Sequence, residues 1–315
     1  MSGGAEAVLL IGDMYAEAAE AYLAGSVRCI KVDDPGRVTD EMASEAVAII
    51  VRYPLPITTD LLGRCHRLRW VFASGSGTDN ISVADCRRAG VKVVRNHGVN
   101  AASVAEHTMA LLLALARRLK PAGPEEFWTH RLGAERVELA GKRLGLLGYG
   151  AVGREVARRA HAGFDMEVVA CDVIPVEEGR QWLRHVVDGE ELAATSDAVS
   201  LHVPLNETTR GLVDARFLSL MKPSAFLINT SRGQVVDEAA LVRSLQRHVI
   251  AGAALDVFCE EPLPPRSALW AAPNLLLTPH VADATAECRQ AMAMAAAHRC
   301  LEAMKRNGSD DDGGR

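Results

Sequence analysis

Three side chains have the types and spacing for proton transfer and anion binding: Arg232, Glu261 and His280. Arg232 ends the run Leu227-Ile-Asn-Thr-Ser-Arg, an apolar stretch that turns polar just before Gly233. Ligands of open α/β sheets bind beyond the carboxyl ends of strands, and this run reads as such an end. A guanidinium there can hold a carboxylate or a 2-oxo acid through two parallel N–H bonds. The spacing leaves equally open a loop arginine paired with Asp237 or Glu238. His280 closes Leu277-Thr-Pro-His, and Glu261 opens an acid-Pro turn after Leu255-Asp256-Val-Phe. Nineteen residues separate them, room for one excursion and a return to a neighbouring strand. A carboxylate bonded to an imidazole fixes its tautomer and raises its pKa. Such a histidine can protonate a carbonyl oxygen, an effect worth ~10²–10⁴ in rate. In isolation, Thr-Pro-His also reads as a capped loop histidine.

A second pattern is a nucleotide turn. Arg143-Leu-Gly-Leu-Leu-Gly148-Tyr-Gly150-Ala-Val-Gly153 runs an apolar strand into GxGxxG and then a helical pattern. Gly148 permits the tight turn, Gly150 lets backbone approach a pyrophosphate, and Gly153 allows close helix–strand packing. The helix N-terminus offers free N–H groups to phosphates. A lone GxGxxG can be a structural turn. Here Glu167–Cys171 follows as a strand and delivers Asp172, nineteen residues after Gly153, where an acid accepts ribose hydroxyls. That acid would repel a 2′-phosphate and favours NAD over NADP, with Arg154 close by as a contrary charge.

The elements that must position these groups alternate short apolar runs with longer amphipathic ones, the pattern of a parallel α/β sheet. Ala7–Ile11, Val27–Val32, Ala46–Val51, Arg69–Ala73 and Val91–Val94 read as strands of a first series, with a helix at Tyr15–Leu23. Arg143–Leu147, Glu167–Cys171, Ala198–His202, Ala225–Asn229, Gly252–Leu255 and Leu275–Leu277 form a second. Between them Ala101–Leu119 is a helix apolar on several sides, expected to be buried between domains or subunits. Pro121 to Ala140 reads as irregular. An Ala/Met-rich helix is expected from about Ala284 to Lys305, followed by a disordered tail, Asn307–Arg315.

Composition narrows the function. The chain has 315 residues, a net charge of −5 and 4% aromatics, which speaks against nucleic acid as a partner. No apolar run approaches the ~20 residues a bilayer requires, so no membrane span is expected. Seven dispersed cysteines without a CxxC fit reduced thiols in a cytoplasmic compartment, and no metal site. The N-terminal apolar run lacks a basic leader and reads as a strand rather than a signal peptide.

Four motifs, in order and spacing, resemble the D-isomer-specific 2-hydroxyacid dehydrogenase family, over about Val47 to His298: Ser74-Gly-Ser-Gly-Thr-Asp-Asn80, GYGAVG, INTSRGQVVDE, and LDVF–EEP–TPH. Val99–His107 resembles the family's entry to its interdomain and dimer helix, and His202-Val-Pro204-Leu its loop beside the cofactor. The resemblance implies an α/β fold of two domains: a Rossmann doubly wound parallel sheet at 100–283, and a flavodoxin-like substrate domain from 1–99 plus 284–315. It implies an NAD-dependent oxidoreductase, a homodimer, acting on a small 2-oxo/2-hydroxy acid. Arg232 would orient the substrate, and His280 would be its proton donor and acceptor. Glu261 would pair with His280, with Glu260 the alternative. The amides of Ser76 and Gly77 would bind the substrate carboxylate. Gly148, Gly150, Ala151, Val152, Gly153 and Asp172 would hold the nucleotide, with Val203, Thr230, Asp256 and His280 on the nicotinamide side. The rival is a non-catalytic NAD-sensing corepressor-like protein. A formate-oxidising site would carry an amide where Glu261 stands.

Departures are confined. Asp283 adds a charge after the Thr-Pro-His segment, and Ala73 stands where phosphoglycerate-type members tend to carry an arginine. Trp128 could reach a partner subunit or pack locally. Arg52, Tyr53 and Leu55 could shape the substrate side chain or simply pack. His97 and His107 read as capping or packing groups.

Overall fold

A computed structural model of the chain describes residues 6–12, 17–119, 136–174, 182–186 and 188–310. It divides into two compact units, residues 1–100 with 284–315, and residues 101–283. Trp128 lies outside the described residues.

In the first unit, β1 (Ala7–Ile11), β2 (Arg28–Val32), β3 (Ala46–Val51), β4 (Trp70–Ala73) and β5 (Lys92–Arg95) pair in parallel in the order β2-β1-β3-β4-β5. This is the flavodoxin-like order. The inner strands are buried along their whole length, because helices cover both faces. On one face Val8, Leu10, Ile50 and Phe72 pack with α1 (Glu17–Ala24) and with Ala293, Ala297 and Leu301 of α10 (Ala286–Asp310). On the other, Leu9, Ile49 and Val71 pack with α2 (Asp40–Glu45), α3 (Thr59–Arg64) and α4 (Val83–Arg88). Thr39, Thr58 and Ser82 cap those three helices by accepting the N–H groups of Met42, Leu61 and Asp85. The outer strands β2 and β5 expose Arg28, Lys31, Lys92 and Arg95, charges that discourage pairing with another edge.

The second unit holds β6 (Arg143–Leu147), β7 (Glu167–Cys171), β8 (Leu183–His185), β9 (Ala198–Leu201), β10 (Phe226–Asn229), β11 (Gly252–Leu255) and β12 (Leu275–Leu277). They form one parallel sheet, ordered β12-β11-β10-β9-β6-β7-β8. Strand order reverses between β6 and β9, the place where doubly wound sheets open a crevice for ligands. One face packs with α5 (Ala101–Arg117) and α6 (Ala151–Phe164). The other packs with α7 (Gly189–Thr195), α8 (Ala215–Leu220) and α9 (Glu238–Gln246).

The structure corrects several expectations. The edge strand β8 is absent from the sequence reading: three residues, Leu-Arg-His, carry no period. The final helix runs on to Asp310, overriding the disorder expected from residue 307. Leu111, Leu112 and Leu115 are buried within their own unit, each worth about 1.5–3 kcal/mol relative to exposure.

Candidate active site

The turn after β6 is shaped by what cannot fit there. Gly148 has φ +94°, and a Cβ on it would stand 2.5 Å from the His202 carbonyl oxygen, in the loop after β9. A Cβ on Gly153 would overlap the Gly148 carbonyl oxygen, so the first turn of α6 lies directly against the end of β6. Gly150 differs: its Cβ position is open, and as the N-cap of α6 it brings no side-chain cap. The N–H groups of Ala151 and Val152 begin the helix beside that space. An uncapped helix N-terminus next to open space, at the strand-order reversal, suits a pyrophosphate. Asp172 follows β7. Its carboxylate accepts the Tyr149 N–H at 2.6 Å and the Ile174 N–H at 3.0 Å, which fixes it at the rim of the same turn. Arg154 donates to the Tyr149 carbonyl at 3.2 Å and lies over the Tyr149 ring. Val203 is half-buried in the loop after β9. Its neighbour His202 bonds Ser200 at 3.0 Å, and burial pushes its imidazole down to about 3.

Along the same sheet, the ends of β10, β11 and β12 carry the polar groups. Asn229 accepts the N–H and hydroxyl of Ser231 and donates to the Arg232 carbonyl at 2.8 Å, which folds the loop back on the strand. Arg232 donates to the Ser231 carbonyl at 2.6 Å. Both acids once open as its partners are engaged: Asp237 caps α9, and Glu238 accepts the Cys259 N–H at 2.7 Å. Thr230 is buried and shares a 3.0 Å hydroxyl contact with Thr108 of α5.

Glu261 and His280 meet. The His280 Nδ1–H donates to Glu261 Oε2 at 2.7 Å, and Glu261 Oε1 accepts the Phe258 N–H at 3.0 Å. Their side chains are 26% and 19% exposed, sheltered yet reachable. Glu260 is exposed. His280 adopts φ +53°, a left-handed backbone that costs a non-glycine residue.

Asp256 is fully buried at 0% exposure. Its carboxylate accepts from Thr278 Oγ1 at 2.5 Å and from the N–H groups of Val281 and Ala282, each at 3.0 Å. His107 of α5 lies 3.3 Å from the carboxylate and 3.1 Å from Thr278 Oγ1. Burial works to raise the Asp256 pKa. The hydrogen bonds from His107, Thr278, Val281 and Ala282 outweigh it and hold the carboxyl below its usual range. His107 and Thr278 escaped the sequence reading as site residues. Their only signal was position, since α5 begins six residues before His107 and Thr278 stands beside the Pro-His pair.

In the first unit, Ser76 follows β4 and donates to the Asn96 carbonyl at 3.3 Å, and Gly77 beside it is half-buried. Asn80 donates to the carbonyls of Leu55 at 2.6 Å and Arg52 at 3.5 Å, joining the loops after β3 and β4. Among the described residues, no helix is long and apolar enough to cross a membrane, and no group of His, Cys, Asp and Glu could hold a metal ion.

Residues 109–282 match the family model for the NAD binding domain of D-isomer specific 2-hydroxyacid dehydrogenase, more than half of the chain. A glyoxylate reductase of Aeropyrum pernix is 42% identical over 273 residues, 82% of this chain and 80% of that protein. An (S)-sulfolactate dehydrogenase of Chromohalobacter salexigens is 40% identical, over 82% of this chain and 84% of that one. The crystal structure of a D-lactate dehydrogenase from Aquifex aeolicus, complexed with NAD and lactic acid, superposes with a TM-score of 0.82 at 28% identity, covering 98% of both chains. These relatives are a reductase and two dehydrogenases and lend the corepressor-like alternative no support. With its doubly wound sheet, glycine turn and paired imidazole and carboxylate, the chain belongs to the D-isomer specific 2-hydroxyacid dehydrogenase family, NAD-dependent oxidoreductases of 2-hydroxy acids.

Proposed function

We propose that the chain reversibly reduces a small 2-oxo acid to its D-2-hydroxy acid, with His280 and Glu261 as the acid–base pair and Arg232 as the substrate clamp. The observation that carries this reading is the 2.7 Å bond between His280 Nδ1 and Glu261 Oε2. With Nδ1 on the carboxylate, Nε2 would exchange the proton with the substrate oxygen. Glu261 holds the ring in place through that bond. Arg232 holds the substrate carboxylate and offsets charge developing on the oxygen. Hydride transfer at the carbon bearing that oxygen is the chemistry a nicotinamide would supply when bound.

Gly148, Gly150 and Gly153, with the N–H groups of Ala151 and Val152, would hold the pyrophosphate, and Asp172 the ribose. Val203 and Thr230 would line the nicotinamide side. Asp256 acts through the loop it holds rather than through a free carboxylate. We assign residues 101–283 to the nucleotide and the other unit to the substrate, whose carboxylate would meet the amides of Ser76 and Gly77. The relatives' names bring the smallest 2-oxo acids forward. A cytoplasmic homodimer completes the reading, and sedimentation as a monomer at micromolar concentration would count against the dimer.

The test is a panel of glyoxylate, hydroxypyruvate, 3-sulfopyruvate and branched 2-oxo acids, each with NADH. Robust NADH oxidation with at least one member supports the proposal. No turnover with any of them, in protein that binds NADH, defeats it.

A further inference from the structure

The segment that carries Arg232 and the turn that carries Glu261 are joined at one peptide. Gly233, immediately after Arg232, is buried against it: a Cβ there would overlap the carbonyl carbon and oxygen of Phe258 and the nitrogen of Cys259. The polar groups of Cys259 are taken up from the same side. Its N–H donates to Glu238 Oε1 at 2.7 Å, and its carbonyl accepts Gln234 Nε2 at 3.1 Å. Its thiol donates to the Val236 carbonyl at 3.9 Å. Gln234, Val236 and Glu238 all belong to the seven residues that begin at Arg232. On the far side of this peptide, Phe258 N–H donates to Glu261 Oε1, and Glu261 Oε2 meets His280.

From this we propose that Glu238, helped by Gln234, is a positioning residue for the acid–base pair: it clamps the Phe258–Cys259 peptide to the Arg232 segment and so aims the Glu261 carboxylate at His280. The proposal rests on the reading of His280 and Glu261 as that pair. Glu238 touches neither substrate nor nucleotide in this account. It acts through a main-chain N–H, so an uncharged acceptor of the same length can replace it. Glu238→Gln keeps a carbonyl oxygen for the Cys259 N–H, whereas Glu238→Ala leaves that donor without its partner. Once the peptide is loose, the Phe258 N–H no longer fixes Oε1, and Oε2 drifts from the imidazole. A displacement of this kind costs up to about 100-fold in kcat. It also loosens the contact between Oε2 and the imidazole, so the pH profile of kcat moves toward acid.

The experiment measures kcat against pH in the reducing direction, with KM for the 2-oxo acid and Kd for NADH, in wild type, Glu238→Ala, Glu238→Gln, Gln234→Ala and His280→Ala. Expected are a lower kcat and an acid-shifted profile in Glu238→Ala, a smaller shift in Gln234→Ala, recovery in Glu238→Gln, and unchanged NADH affinity throughout. If Glu238→Ala does not fold, Gln234→Ala carries the same readout through the other half of the clamp. A wild-type pH profile in whichever of these folds, with only thermal stability lowered, overturns the proposal. His280→Ala separates the two failures: if it keeps turnover, the pair itself is misassigned. If it is inactive while the clamp variants keep the wild-type profile, only the clamp is wrong.

Discussion

Asp256 holds His280 in its unusual backbone. The Asp256 carbonyl accepts the His280 N–H at 2.8 Å, while its carboxylate takes the N–H groups of the next two residues, Val281 and Ala282. Three bonds from one buried residue offset the cost of a histidine at φ +53°. Asp256→Ala keeps the main-chain bond to His280 but leaves the Val281 and Ala282 donors unpaired, and should lower stability by about 1–3 kcal/mol. Chemical unfolding checks this, and kcat should drop while NADH affinity stays. The Asp256 pKa is depressed in the folded state. It therefore adds stability above the ordinary aspartate pKa of about 3.9, and that stability is lost as pH falls through this value toward the folded pKa. An Asp256→Asn variant should show a flatter loss of stability below about pH 4.

His202 makes the same demand on protons at a higher pH. Its imidazole, pushed from 6.5 to about 3 by burial, stays neutral in the fold. The unfolded chain takes up a proton near 6.5 and the native one does not, so its contribution is intact above that pH and erodes from 6.5 down toward 3. His202→Gln should flatten the stability–pH curve in this window. An unchanged slope between pH 6 and pH 4 would show that the ring is not held neutral.

The glycine turn separates folding from binding. Gly148→Ala drives a Cβ at the His202 carbonyl and forces a strained φ, so this variant should fold poorly. Gly150→Ala points its methyl into open space. Its melting temperature should match the parent within a degree or two, while NADH affinity drops at least about tenfold if a pyrophosphate approaches that backbone. Calorimetric titration with unaltered affinity would remove the pyrophosphate from this turn.

For Arg232, the informative change is to lysine, which keeps the charge and loses the fork. KM for the 2-oxo acid should rise by about tenfold or more, with NADH affinity retained. An unchanged KM would argue that Arg232 does not grip the carboxylate.

Much of this is legible in the sequence. Five strands of β-branched and aliphatic residues, a glycine turn with an acid nineteen residues on, and the acid-Pro and Thr-Pro-His segments are local patterns that survive folding unaltered. What escaped was either short or non-local. β8 is three residues without a period. His107 is 171 residues from Thr278, and no spacing rule links them. The taking-up of Asp256 by the segment after β12 could not be read either, because an aspartate at a strand end serves a ligand or a backbone with equal ease. The long final helix continued through Asn307 and Gly308, residues that weaken a helix without being able to stop it.

The central claim is that His280, bonded to Glu261, moves the proton. The most direct measurement is single-turnover reduction of the preferred 2-oxo acid by NADH in His280→Ala. The reduction rate should fall by about 10²–10⁴ with NADH binding preserved. A rate within a few-fold of the parent enzyme would contradict it.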